Sequence, residues 1–201
     1  LFAHVSFLLL QPENVFLDES GNVLLGDFGF ATAWSPDVHQ TESVGTFPYA
    51  APELLLGHGY CGPEVDLFSL GTVLLAMISA TIPFKADSEE ESFKKVQLGD
   101  FKSDVPISVS PSAVDLLTRL LDPNPKTRIT MPQLCQHPWM KMRPKTASSS
   151  SPNGKSATVG ASPSPSSSSS NGPLSFFAAT KKRLMREFNS TSVPIPVSAS
   201  R

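Results

Sequence analysis

The sequence predicts a mostly helical domain with one small β-hairpin, closing near Met140 and followed by a tail that cannot fold by itself. Three observations carry this. Between Val15 and Met140 apolar residues recur in short blocks separated by turn residues, and most of the longer blocks have a helical period. From Lys141 onward Ser, Pro, Gly, Ala and Thr take over, with TASSSSPNGKSATVGASPSPSSSSSNG at the centre. Such a segment buries too little apolar surface to offset its ordering entropy, so residues 141–201 are expected to be disordered. A chain of 201 residues with 40% apolar composition suffices for one ordinary domain and its core.

In chain order, VFLDESGNVLLGD sets two apolar runs, Val15 to Leu17 and Val23 to Leu25, around a Gly-containing turn, which is a hairpin signal. Residues 30–50 show no sustained period and read as a long ordered loop, a feature that is usually functional inside a compact domain. EVDLFSLGTVLLAMIS is apolar nearly all round and predicts a buried helix. DSEEESFKKVQLGD predicts an exposed helix whose acidic first turn and later Lys94 and Lys95 suit the helix dipole, ending at Gly99. Next, Ser110 can cap a helix with Pro111 at its first position and Ala113, Leu116, Leu117, Leu120 and Leu121 in one stripe. Finally, Thr130 and Gln133 are spaced as a capping box at the head of ITMPQLCQHPWM. No internal repeat is present.

A formal net charge of −2 gives no electrostatic argument for nucleic acid. Cys61 and Cys135 have no partner Cys or His at metal-ligand spacing, which speaks against a zinc site or a disulfide framework and for reduced thiols in a cytoplasmic or nuclear protein. The apolar run Leu1 to Leu10 is too short to span a bilayer and has no basic flank or cleavage site, so no transmembrane segment and no secretion signal are expected. His4, His39 and His58 lack partner spacing, and packing is the expected role of His137.

Phosphoryl transfer requires metal ions on the phosphates, an acceptor-positioning carboxylate and a frame that holds both. Asp27 is a metal-ligand candidate because it ends an apolar strand just before a Phe and a Gly that let the chain turn sharply, although DFG alone reads better as a turn aspartate. GTFPYAAPE, Gly45 to Glu53, resembles the end of the activation segment of Ser/Thr protein kinases, G-T-x-x-Y-x-A-P-E. DLFSLG, Asp66 to Gly71, resembles their D-x-W-S-x-G with Phe68 in place of Trp, and RIT followed by HPW resembles the close of the catalytic domain. Taken singly, Glu53 and Arg128 are ordinary surface charges, Asp66 a helix cap and Thr46 a loop hydroxyl. Their joint order and spacing resemble the C-lobe of a eukaryotic protein kinase over residues 12–140, α+β by family, and most closely the calcium/calmodulin-dependent group with its checkpoint and AMP-activated types.

The resemblance implies ATP and Mg²⁺ as cofactors and protein Ser/Thr as substrate. It places Glu13, Asn14 and Asp27 at the cofactor, with Asn14 and Asp27 each holding a Mg²⁺. It makes Asp66 a structural partner of the catalytic-loop backbone, and Glu53 with Arg128 the bidentate pair that braces the activation segment. In AMP-activated relatives the activating phosphothreonine falls where this chain has Glu42, between Thr41 and Ser43. Either Glu42 supplies a built-in charge, or Thr41 or Ser43 takes a phosphate in a shifted register.

The resemblance breaks at the catalytic loop. Where the family reads H-R-D-L-K-P-E-N, this chain has Phe7, Leu8, Leu9, Leu10 and Gln11 before PEN, so no catalytic residue is assigned: Leu9 cannot orient a hydroxyl and Gln11 offers no cation. The Gly-rich loop, the V-A-I-K lysine and the rest of an N-lobe do not occur in the sequence, and the chain by itself is expected to be inactive. Residues 1–11 are expected to be a non-native segment, because SFLLLQ is what a pyrimidine tract ending in CAG spells when an intron is read through into Pro12. The alternative is a pseudokinase-like scaffold that keeps the C-lobe as a docking surface. In the tail, SFFAATKKRLMREFN, residues 175–189, places Phe177, Leu184 and Phe188 near one helical face with Lys181, Lys182, Arg183 and Arg186 around it. That pattern suits a partner groove or an acidic surface, or else a solvated charge cluster.

Overall fold

The computed structural model describes residues 4–6, 10–29, 31–35, 47–60 and 62–142. The tail from residue 143 with its 175–189 stretch, and Thr41, Glu42, Ser43 and Thr46, lie outside the described residues. In chain order the elements are β1 (His4–Ser6), a 3₁₀ turn (Pro12–Asn14), β2 (Val15–Leu17), β3 (Val23–Leu25), β4 (Thr32–Trp34), α1 (Pro52–Leu55), α2 (Pro63–Ser79), α3 (Glu89–Leu98), a second 3₁₀ turn (Lys102–Asp104), α4 (Pro111–Leu120), α5 (Met131–Gln136) and α6 (Pro138–Lys141).

The hairpin forms where the two apolar runs around the Gly-containing turn place it, with Val15 opposite Leu25, Phe16 opposite Leu24 and Leu17 opposite Val23. Its turn is closed by one side chain: Asp18 Oδ1 accepts from the Asn22 backbone N–H at 2.8 Å and Oδ2 from Asn22 Nδ2 at 2.8 Å. Those bonds to the charged form, the Asn22 side chain first, hold the Asp18 carboxyl below its usual range. Gly21, at φ 83°, supplies the left-handed residue the turn needs.

A second two-stranded sheet was not foreseen. β1 pairs antiparallel with β4, His4 opposite Trp34 and Ser6 opposite Thr32, inside a stretch that the sequence presents as loop. Strands of three residues show no periodicity, and their partner lies too far along the chain for a turn signal to announce it.

Helix α2 is the axis of the core. Val65, Leu67, Phe68, Val73, Leu75 and Ala76 are all buried, which agrees with its all-round apolar sequence. One side packs with Ala50, Ala51, Leu54, Phe84, Val96, Phe101, Leu117 and Leu121; the other packs Leu67 against Leu116, Leu120, Ile129 and Leu134. The α4 stripe read from the sequence is therefore the face laid on α2. Ser110 Oγ accepts from the Ala113 N–H at 3.3 Å to cap α4, Ser88 does the same for α3, and Gly99 at φ 61° ends it.

The last block is two helices, because His137 precedes a proline and is held extended at ψ 138°. The His137 ring joins them to α4: Nε2 lies 2.9 Å from Asp115 Oδ2, and Nδ1 accepts from the Trp139 N–H at 3.3 Å. Asp115 also accepts from Arg119 Nε at 3.1 Å, and these partners, His137 before Arg119, hold its carboxyl below the ordinary value. A depressed folded-state pKa gives stability that is present above the unfolded value, about 3.9, and lost as pH falls through the folded one. Asp115→Asn should therefore lower stability near neutrality and flatten the acid limb, the two proteins converging as pH falls below roughly 4. Urea titrations of both proteins across that range check this, and parallel acid limbs would contradict it.

Candidate active site

The hairpin register decides the geometry at Asn14 and Asp27. With Val15 opposite Leu25, the next rung joins Asn14 to Gly26, whose N–H donates to the Asn14 carbonyl at 2.9 Å, and Asp27 follows directly. Thus the two residues assigned to metal ions leave the same end of one hairpin. Asn14 is buried and Asp27 exposed. The Phe16 ring lies over Gly26, its Cε2 2.8 Å from where a Cβ would stand. Asp27 takes the left-handed conformation, φ 58°, and its Oδ1 accepts from the Gly29 N–H at 3.1 Å, closing the turn through DFG. Glu13, in the 3₁₀ turn, is half-buried beside Asn14. At Gln11, where the resemblance expects a lysine, Oε1 is out of solvent without a hydrogen-bond partner.

The donor set suits a magnesium–nucleotide complex more than a self-contained metal site. Among the described residues no group of three or more His, Cys, Asp or Glu can hold a metal ion. Mg²⁺ asks for less: one or two protein oxygens, with phosphates and waters completing an octahedron. One exposed carboxylate and one amide at adjoining positions meet that requirement.

The bracing pair is bidentate and dry. Arg128 Nη1 donates to Glu53 Oε1 at 2.7 Å and Nη2 to Oε2 at 3.0 Å, with the Arg side chain fully buried and Glu53 6% exposed. The guanidinium also donates from Nη1 to the Glu64 carbonyl at 2.6 Å and from Nε to the Asp122 carbonyl at 2.9 Å, and lies 5.0 Å from the Phe68 ring centroid. Neither those carbonyls nor the Phe68 contact was anticipated. The Phe for Trp exchange in DLFSLG was the available signal, since it changes the ring a buried cation lies over. Ser69 was also missed: its Oγ donates to the Tyr49 carbonyl at 2.9 Å, tying the segment before α1 to α2. A serine inside an apolar helix announces such a tether. Asp66 stands half-buried in the first turn of α2.

A hairpin ending in two metal-capable residues, a helical core and a buried Arg fork on α1 are together features of a protein kinase domain. The family model for the protein kinase domain matches residues 3–140, and the chain belongs to the Ser/Thr protein kinase family. It is 39% identical over 139 residues to the SNF-related serine/threonine-protein kinase of Homo sapiens, covering 69% of this chain and 18% of that protein. It is 41% identical over 135 residues to the putative CBL-interacting protein kinase 27 of Oryza sativa subsp. japonica, covering 66% and 33%. To the probable serine/threonine-protein kinase MARK-C of Dictyostelium discoideum it is 37% identical over 142 residues, covering 69% and 18%. The chain thus spans between 18% and 33% of the length of these relatives. Among the described residues no helix is long and apolar enough to cross a membrane.

Proposed function

We propose that this chain supplies the C-lobe part of an ATP-dependent protein Ser/Thr kinase. The observation that carries the reading is the shared hairpin end of Asn14 and Asp27, in the same chain as the core braced by Glu53 and Arg128. Mg²⁺ held by Asn14 and Asp27 would neutralise phosphate charge during transfer. The chain's own contribution is positioning: Asp27 presents its carboxylate to solvent from a turn fixed by Gly29, and Asn14 anchors the hairpin rung behind it. Glu13 belongs to the same cofactor-facing turn, and a protein hydroxyl is the acceptor.

The test uses Mn²⁺ with ATP and the full chain. Paramagnetic broadening should centre on residues 13–16 and 26–29, need the nucleotide, and vanish in Asp27→Ala. Broadening elsewhere, or unchanged broadening in the variant, would remove Asp27 from the site.

A second reading, a scaffold without phosphoryl transfer, is favoured by Leu9 and Gln11, which lack the carboxylate and the cation that transfer requires. Joining the chain behind the N-lobe of a relative and introducing Phe7→His, Leu8→Arg, Leu9→Asp and Gln11→Lys separates the two. Peptide phosphorylation that appears with these changes supports a kinase C-lobe, whereas silence supports the scaffold. A cytoplasmic or nuclear setting is part of the proposal and is supported by Cys135, an exposed free thiol.

A further inference from the structure

Phe84 is held in a backbone conformation that its side chain disfavours. It takes the left-handed region at φ 57°, which a bulky residue rarely adopts, while its ring is fully buried. Two side chains from later in the chain hold it there. Asp104, in the second 3₁₀ turn, accepts the Phe84 N–H at 2.9 Å through Oδ2, and its Oδ1 accepts from Ser103 Oγ at 3.4 Å. Lys95, on α3, donates from Nζ to the Lys85 carbonyl at 3.2 Å and stands 3.8 Å from Asp104 Oδ1. Both flanks of Phe84 are therefore gripped, and the two grips carry opposite charge. The side chains of Lys95 and Asp104 are 26% and 14% exposed, so water screens this pair less than it would a surface one.

What they hold leads to the Arg fork. The Phe84 ring stacks on Phe68 with centroids 6.2 Å apart and planes 9° from parallel, and the Arg128 guanidinium carbon lies 5.0 Å from the Phe68 centroid. We propose that Lys95 and Asp104 are positioning residues for the segment that ends at Glu53. By keeping Phe84 left-handed they keep Phe68 under the guanidinium, and so set the direction in which Arg128 presents its fork to Glu53. The element with two arrangements is the Phe84 backbone. Released from Asp104 it relaxes to negative φ, its ring leaves Phe68, and Phe68 loses the stack that fixes it beneath Arg128. A close-packed core responds to such a loss by repacking, and Arg128 is the charged group at the end of the stack. The consequence for phosphoryl transfer rests on the kinase reading above, whereas the coupling from Asp104 to Arg128 does not.

The assay follows the NMR resonance of the Arg128 Nε–H, which donates to the Asp122 carbonyl at 2.9 Å, in the full chain without nucleotide. Asp104→Ala should move this resonance and speed its exchange with water roughly tenfold, the size that loss of one hydrogen bond to a charged group allows. Amides of α4 should respond less. Lys95→Met, the milder variant should Asp104→Ala fail to fold, is expected to move the resonance in the same direction. Asp104→Asn keeps an oxygen for the Phe84 N–H and should restore most of the wild-type position, which a general loss of stability would not predict. In a Phe84→Leu background the transmitting ring is gone, and Asp104→Ala should then leave the Arg128 resonance where Phe84→Leu alone puts it. A folded Asp104→Ala or Lys95→Met protein with an unmoved Arg128 resonance overturns the proposal. So does faster exchange that α4 shares in full, which marks loss of overall stability. Either failure leaves the Mg²⁺–nucleotide reading of Asn14 and Asp27 standing, because no nucleotide enters the assay, and failure of the Mn²⁺ experiment leaves this coupling standing.

Discussion

Arg128→Met should lower the urea midpoint of the domain by roughly 2 M, corresponding to about 3–5 kcal/mol at an ordinary denaturant slope. The size follows from what the substitution leaves behind. Glu53 would keep its charge at 6% exposure with both oxygens unpaired, and the Glu64 and Asp122 carbonyls would each lose a donor. Arg128→Lys should recover only a minor part, since one ammonium cannot serve two carboxylate oxygens and two carbonyls in their fixed directions. In Glu53→Gln/Arg128→Met no charge is stranded, and that double variant should be more stable than Arg128→Met alone. Because Glu53 sits in α1 directly after the chain tied to Ser69, exchange at Tyr49–Leu54 should rise before that of α4. A midpoint shift worth less than about 1 kcal/mol, the range of exposed pairs, would mean that water reaches the fork.

The parts of this fold that can be read from the sequence are those in which neighbours along the chain decide the structure. Two apolar runs, Val15 to Leu17 and Val23 to Leu25, flank a Gly turn, Ser110 and Pro111 start a helix, and Gly99 stops one; each signal acts within a few residues and each produced its element. The missing parts depend on partners far away. The β1–β4 pair joins residues 4–6 to 32–34, and no local preference of Thr32, Ala33 and Trp34 specifies that ladder. Phe84 makes the same point: it is fully buried at φ 57°, stacks on Phe68 at 6.2 Å, and has its N–H held by Asp104 Oδ2 at 2.9 Å, a combination that only the assembled core can impose.

At the candidate site the division is similar. The pairing of Glu53 with Arg128 was accessible only through the resemblance, as 75 residues separate them and charge alone places both on a surface. Asn14 and Asp27 could be named singly, and the hairpin register then shows that they share one end. The Arg128 contacts to two carbonyls belong to a level no motif encodes, since backbone acceptors carry no residue identity.

Gly71 lies at the crossing of α2 and α4, and there two effects of opposite sign meet. Glycine inside a helix costs about 1 kcal/mol relative to alanine, so propensity alone makes Gly71→Ala stabilising. The added Cβ, however, would stand 2.8 Å from Leu120 Cβ and 2.9 Å from Leu121 Cδ2. A Cβ is fixed to its backbone, so relief at Leu120 requires the two helices to separate, and they carry the buried faces of both parts of the core. Overpacking of this kind costs about 1–3 kcal/mol, and because the obstruction is rigid it should win. Gly71→Ala is expected to lower the melting temperature, and Gly71→Val to lower it further by adding two methyl groups at the same place. Leu121→Ala offers a discriminating background. It removes the flexible half of the obstruction and keeps Leu120 Cβ, so the penalty for Gly71→Ala should shrink there without vanishing, which a double-mutant cycle measures. A Gly71→Ala protein that melts higher than wild type would show that the helices move apart at little cost, and that the close approach of α2 and α4 does not hold this core together.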